Sequence, residues 1–489
     1  MPDPVLLIAI PLGFAFLIPL LGFISRKIEK FVPPVAMAVN ILLSIKLIPY
    51  VMKKPIVSSL GGFLHPFSIN LYVGPVGLFF SLLISFVGFL VSLYAISYIK
   101  EGATQKYHML FLLLLTGANG AALTADIFNL FVFSEILCIS SYALVAYTGS
   151  KAGVESATKY LIQGSIGSAF FLIAIGLIYG QFGTLNMAEI AQHVHSVKPI
   201  NIYLPIAMII SGIGVEAAIF PINAWLPDAH SSAPSTISAV LSGIAIKIGL
   251  YVILRFVFTI FGATNLLLIL IITAIVTVLV GEFSAFSQNN IKRMLAYSST
   301  GQIGLILFAI SLGTSQGISA GFFQLITHTL SKSILFLSTG YMIVKAGSMD
   351  MENMIGMGKR MPVSSLSFTI GAFSLVGLPP FIGFPSKFLI VKAAIAKGDI
   401  LSIVLIILVL LGTVIEAAYF FRAVQTLYFK GDSSSIQRDE APAIALIPLL
   451  LLIVSIIGIG VYPHFLTGFL NKVSSELLNR IAFIRGILG

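Results

Sequence analysis

The chain has 489 residues, 58% of them hydrophobic and 9% charged, with a formal charge of +10. So little charge excludes a soluble globular domain and points to a polytopic membrane protein. A single cysteine, Cys138, excludes an internal disulfide. No Cys/His cluster has zinc or iron–sulfur spacing, and basic residues scattered through short loops argue for topology signals rather than nucleic-acid binding.

Taking roughly 20 apolar residues as one crossing, the sequence predicts about fourteen spans. They run approximately 4–24, 33–50, 75–98, 108–124, 127–147, 157–179, 201–221, 236–258, 264–285, 295–312, 317–345, 364–390, 401–428 and 443–463. The runs are continuously apolar rather than alternating, so helices are expected, not barrel strands. The fold class expected is all-α.

Arg26, Lys27 and Lys30 follow span one, and Lys100 and Lys106 follow span three. Lys151, Lys292, Arg293, Lys345, Lys359, Arg360, Lys430 and Arg438 follow later odd spans. Lys53, Lys54, Lys198 and Lys397 lie in the poorer alternate loops. The bias predicts odd-to-even loops in the cytoplasm, both termini outside, and a prokaryotic cytoplasmic membrane as the location. The tail from Leu466 to Gly489 reads as a surface-lying amphipathic helix.

Span seven breaks at Pro221 and span twelve at Pro379, Pro380 and Pro385. Five spans separate the breaks, and an odd spacing reverses orientation. Spans 4–8 and 9–13 therefore read as inverted repeats with paired broken helices, a transporter plan. This divides the chain into an N-terminal three-helix segment (1–107), two five-helix repeats (108–258 and 259–430) and a last span with its tail (431–489).

Ionisable residues inside spans are costly and mark ion or substrate paths. Glu135, Glu216, Lys247, His328, Lys332 and Lys387 are the leading candidates, with Lys159, Asp228, His230 and Glu416 secondary. His328 and Lys332 are four apart, on one helix face. Glu135 and Glu216 would be two carboxylates with no lysine in span seven to neutralise them. Lys159 could modulate that pair, Glu282 could tie helices together, and Asp126 could cap span five. Asp228 and His230 fall in the polar turn WLPDAH, where Asp228 could bond free backbone donors.

Five fragments carry a resemblance: ADIFNLFVFSEILCISSYALVAY, FPINAWLPDAHSSAPSTISAVLSGIAIKIGLY, NNIKRMLAYSSTGQIG, THTLSKSILFLSTG and LPPFIGFPSKFLI. The sequence resembles the antiporter-like subunits shared by respiratory complex I, Mrp-type Na⁺/H⁺ antiporters and membrane-bound hydrogenase-like complexes. Its length matches fourteen-helix forms such as the Mrp D-type subunit. The resemblance implies that Glu135, Lys247, His328, Lys332 and Lys387 serve proton transfer. It also marks a departure. Where the pattern has a lysine five residues before the span-seven proline, this chain has Glu216, and Gln324 replaces a histidine found in some relatives.

The implied function is H⁺ movement, with coupling to Na⁺ left open, through a mid-membrane polar axis in a multi-subunit complex. The partners implied are other membrane subunits and the lipid bilayer; no nucleic acid and no cofactor is expected, any redox chemistry sitting in partner subunits. Glu216 leaves three readings open: a site retuned for Na⁺, carboxylate-to-carboxylate proton exchange, or a non-pumping conduit or scaffold. A stand-alone solute carrier is the remaining alternative.

Overall fold

A computed structural model describes residues 2–25, 28–61, 68–429 and 437–489. Arg26, Lys27 and Lys430, used above for orientation, lie outside the described residues. The chain is mostly helical, at 82%. Its principal helices are α1 (Leu6–Ile24), α2 (Val32–Val51), α3 (Pro75–Tyr98), α4 (Thr104–Leu123), α5 (Ile127–Val145) and α6 (Lys151–Phe182). Then come α7 (Met187–His193), α8 (Pro199–Glu216), α9 (Trp225–Ser232), α10 (Ser235–Ile260), α11 (Leu267–Phe286) and α12 (Ile291–Ser311). The last are α13 (Ser315–Ala346), α14 (Pro362–Val376), α15 (Gly383–Lys397), α16 (Ile400–Tyr428), α17 (Ala443–Val461), α18 (His464–Leu478) and α19 (Arg480–Leu488).

Helix occupies all fourteen apolar runs, the twelfth being divided into α14 and α15. Ten described helices are long and apolar enough to cross a membrane. The all-α expectation needs one correction. Ile56–Leu60 and Ile69–Val73 pair as an antiparallel two-stranded sheet, β1 and β2, with Ile56 opposite Val73. At five residues each they are far too short for a span and satisfy their backbone across the ladder instead.

The helices sort by enclosure. The apolar window of α10 is 100% buried and that of α12 is 94% buried, against 33% for α6 and 28% for α16 and α17. The first two are therefore core helices surrounded by protein, and the last three form the rim. Rim side chains such as Ile166, Ile173, Val414 and Val454 are exposed, a surface suited to lipid rather than water.

The tail folds back onto the bundle. Leu470, Val473 and Leu477 of α18 and Phe483 and Ile487 of α19 are buried, so its apolar face is used on the protein itself. Glu476 is nearly enclosed and pairs with Arg255 of α10 at 3.1 Å. Its other oxygen accepts the Val76 N–H at the start of α3, 2.7 Å away, one of the donors that a helix start leaves free. The Arg255 guanidinium lies 4.3 Å from the Phe483 ring centroid. Ser474 bonds Ser315 at the start of α13, at 3.0 Å. One buried carboxylate thus ties α3 to α10, and its helix also holds α13.

Removing one partner of a buried ion pair strands the other, at a cost of about 3–5 kcal/mol. Glu476→Gln should therefore lower the thermal midpoint of the detergent-solubilised protein clearly. An unchanged midpoint would contradict the brace.

Candidate functional site

The two helix breaks end in the same way. At the end of α8, Ala218 N–H donates to Val215 O and Ile219 N–H to Gly214 O, both at 3.1 Å. At the end of α14, Gly377 N–H donates to Ser374 O at 3.1 Å and Leu378 N–H to Phe373 O at 3.0 Å. Both are Schellman closures with the turning residue at positive φ, 53° for Ala218 and 93° for Gly377. A proline follows three residues on in each case, Pro221 and Pro380. Alanine in this conformation costs about 1–2 kcal/mol relative to the right-handed alternative, so surrounding structure must enforce the first break.

That structure is on hand. The backbone groups that a break frees inside lipid need partners from the protein or water. Trp225 Nε1 donates to Val215 O at 2.8 Å while its ring stacks on Tyr160, centroids 3.7 Å apart. Gln163 donates to Ile222 O at 2.8 Å, and Phe220 N–H donates to Thr277 at 3.3 Å. At the second break, Ile382 N–H donates to Ile456 O of α17 at 3.1 Å. Gly460 permits this approach, since a Cβ there would overlap Pro380 O.

Glu135 lies in α5, half-buried, and accepts a hydrogen bond from Ser168 of α6. Glu216, the last residue of α8, is 9% exposed. The Cys138 thiol lies beside Glu216 and Tyr142, and both carboxylates face that thiol. Among the described residues no lysine or arginine pairs with either carboxylate. Gly249 lets α8 meet α10 closely: a Cβ there would lie 2.7 Å from Ala217 N.

Lys247 is 1% exposed, midway along α10. A π-helical turn spans Leu241–Ala245 just before it. This wider turn lets the ammonium reach back to its own helix, donating to Ser242 O at 2.5 Å and Gly243 O at 3.1 Å. Gly243 O also accepts from Thr329 of α13 at 3.0 Å. His328 and Lys332 are fully buried on α13. His328 lies within electrostatic reach of Lys247, Lys332 and His230. Lys332 donates to Leu295 O of α12 at 2.9 Å.

Lys387 begins a second, denser group. It pairs with Glu416 of α16 at 2.8 Å, the two side chains 11% and 1% exposed. It also donates to Val376 O at the break, at 3.2 Å. Gln302 donates to the other Glu416 oxygen at 2.7 Å, Gln324 to Gln302 at 2.5 Å, and Ser386 to Gln324 at 2.6 Å. Lys387 is therefore an ion-pair partner at a helix break, not a lysine reaching for the membrane surface.

Two sequence expectations are corrected. Lys159 is half-exposed and pairs with Glu155 at 2.8 Å and Asp228 at 3.3 Å. It sits more than two helical turns from Ser168 and does not join the Glu135–Glu216 pair. Asp228 pairs with Arg293 at 2.6 Å and with Lys159, and caps no helix; the WLPDAH segment is itself helical. His230 is fully buried, stacked on Phe336 at 4.8 Å. Asp126 does cap α5, accepting the Asn129 N–H at 2.8 Å.

Sequence reasoning missed Lys292, which is 2% exposed and donates to Ala233 O at 2.5 Å. It passes for a loop cation beside Arg293. Neighbours on a helix point about 100° apart, so one of such a pair can face inward. Ser168 and Gln302 carry no charge signal.

A cavity of about 650 Å³ opens beside Pro221, lined by Tyr203, Ile206, Asn265, Thr273 and other largely apolar residues. None of the buried charges lines it.

Fold and site together define a polytopic membrane protein with enclosed charges on its core helices. The family model for the membrane region of NADH:quinone oxidoreductase/Mrp antiporter subunits matches residues 124–415. The chain is 30% identical over 484 residues to the N-type subunit of NADH-quinone oxidoreductase from Desulforudis audaxviator, covering 94% of this chain and 95% of that one. It is 29% identical to the D-type subunit of the Na⁺/H⁺ antiporter from Bacillus subtilis, covering 99% of both. A chain in the membrane-bound sulfane sulfur reductase, an archaeal respiratory membrane complex, is 42% identical, covers 99% of both and superposes with a TM-score of 0.93. The protein therefore belongs to the NADH:quinone oxidoreductase/Mrp antiporter membrane-subunit family, as an antiporter-like subunit.

Val215 O accepts from both Ala218 N–H and Trp225 Nε1, and losing one such bond costs about 0.5–1.5 kcal/mol. Trp225→Phe keeps the ring stack and removes the bond to Val215 O. It should lower the thermal midpoint of the solubilised protein more than Trp225→Phe combined with Ala218→Gly, which relaxes the turn. Equal midpoints for the two would argue against an enforced break.

Proposed function

We propose that this chain is the ion-translocating membrane subunit of a multi-subunit complex, moving H⁺ along a line of charges through the bundle. The single observation that carries the reading is the enclosure of Lys247, His328 and Lys332 on two neighbouring core helices, leading on to the Lys387–Glu416 pair. Charges of this kind are expensive away from water and are kept where they serve a path. Glu135 and Glu216 stand at the other end. The proposed order is Glu135, Glu216, Lys247, His328, Lys332, Lys387, with Glu416 as partner of the last and His230 beside the centre.

Lysine and histidine can accept and release a proton as neighbouring charges rearrange. A proton entering the row repels the next, so electrostatic change at one end moves charge at the other. The shared Schellman-and-proline breaks support the inverted-repeat plan, with residues 108–258 and 259–430 as the two units between 1–107 and 431–489. Fourteen crossings with both termini outside a prokaryotic cytoplasmic membrane complete the plan. Relatives drawn from an Mrp antiporter, a quinone oxidoreductase and a sulfane sulfur reductase support other membrane subunits as partners.

A second reading, a non-pumping conduit, is favoured by one observation: Glu216 has no cation partner among the described residues. Two substitutions in the assembled complex, reconstituted in vesicles, separate the readings. Lys247→Ala should cut proton movement by about 10²-fold or more, the usual worth of a positioned proton-transfer group; full activity would sink the path. Glu216→Lys would pair with Glu135 and should change rate or ion choice if the first pair takes part. An unaltered rate and ion choice would favour the conduit.

A further inference from the structure

We infer that Glu282 is a further proton-carrying residue of the path, sharing one exchangeable proton with Glu416 at the Lys387 end. The inference rests on the reading of the path above and adds a member to it.

Glu282 lies in α11, near the rim of the bundle, yet it is 2% exposed. The structure makes room for it. A Cβ on Gly301 of α12 would overlap Glu282 Oε1, and one on Gly412 of α16 would lie 3.6 Å from its Cγ. Gly301 adjoins Gln302, the donor to Glu416, and Gly412 is one helical turn before Glu416. Two glycines thus seat the Glu282 side chain between the helices that hold the Glu416 site. Tyr419, from the next turn of α16, donates to Glu282 Oε2 at 2.8 Å.

The charged and titratable groups facing Glu282 are Glu416 and Tyr419 from α16, Lys387 from α15 and Lys332 from α13. Among the described residues no cation pairs directly with Glu282. The ammonium of Lys387 is already in contact with Glu416, and that of Lys332 is bonded to Leu295 O. Two carboxylates beside one contact cation leave one negative charge to be neutralised within the bundle. A proton suits the place better than Na⁺. Both Glu416 oxygens and Glu282 Oε2 already accept hydrogen bonds, and the surrounding groups from Gln302, Tyr419 and Lys387 are donors. A hard cation requires several free oxygens together.

The step balances simply. Lys332 in its ammonium form gives up one N–H proton, an O–H bond forms on the carboxylate pair, and Lys332 is left as the neutral amine. Loss of that proton from the pair restores the negative charge, which draws the next proton onto Lys332. The Gln302–Gln324–Ser386 chain holds the acceptors in place. Its amides are poor proton carriers, so the carboxylates bear the transfer.

The test uses the assembled complex in vesicles, with a trapped pH-sensitive dye reporting proton flow under an imposed membrane potential. Glu282→Gln keeps the size of the side chain and an acceptor for Tyr419. It should lose proton flow to the same order as Lys247→Ala, with the complex assembled in normal amount. Glu282→Asp should restore part of the flow with a displaced pH profile. The infrared carbonyl band of a protonated carboxylic acid should be present in the parent and reduced in Glu282→Gln. Replacing Na⁺ by choline should change none of these results; Na⁺-dependent flow would overturn the assignment of a proton. If Lys247→Ala abolishes flow while Glu282→Gln leaves rate, pH profile and infrared band unchanged, the role of Glu282 is refuted and the path stands. Full flow in both variants would refute the path itself.

Discussion

Holding a lysine in the middle of a wholly enclosed helix is the constraint on which this structure depends. Lys247 is only 1% exposed, and its ammonium requires acceptors. The helix supplies them by widening one turn, so that carbonyls at Ser242 and Gly243 turn toward the side chain. That widened turn in turn needs a neighbour, and Thr329 shares the Gly243 carbonyl. The helices bearing Lys247 and His328 are therefore joined by the acceptor that satisfies the lysine. Charge placement and helix packing are one arrangement here, and changing either disturbs the other.

The two helix breaks are built on a second shared device. Each broken helix is closed by its own backbone and then supported by a side chain or backbone from another helix: Trp225 and Gln163 at the first break, Ile456 at the second. Glu216 terminates the first broken helix, and Lys387 follows the second. A buried carboxylate thus stands by each break: Glu216 is the last residue of the first broken helix, and Glu416 pairs with the lysine that follows the second. The two differ in compensation, since Glu416 meets Lys387 whereas Glu216 has a thiol neighbour, and Glu135 of the adjoining helix a hydroxyl.

Much of this is legible in the sequence for a plain reason: a charge inside a long apolar run stands out. Lys247, His328 and Lys332 are conspicuous in that way, and the prolines locate both breaks. What the sequence hides lacks contrast or depends on orientation. Lys292 and Arg293 form a basic doublet that reads as a loop signal, yet the two point in different directions and only the first is buried. His230 sits in a polar octet that looks like a turn and is a short buried helix. Lys159 misleads because a lysine in an apolar run gives no indication of which side of the helix faces protein. Glycines 249, 301 and 460 matter through what lies opposite them, which no single stretch of sequence records.

The C-terminal brace has a mechanical consequence. Glu476 links the start of α3 to the end of α10, and Ser474 of the same helix holds the start of α13. These three contacts lie at one end of the bundle. Sliding the helices past each other there would mean parting a buried ion pair. The far ends of α3 and α13 are tied as well, Tyr94 donating to Leu337 O at 2.6 Å and Tyr341 to Ser97 at 3.1 Å, so these two helices are fastened at both ends and shift as one body.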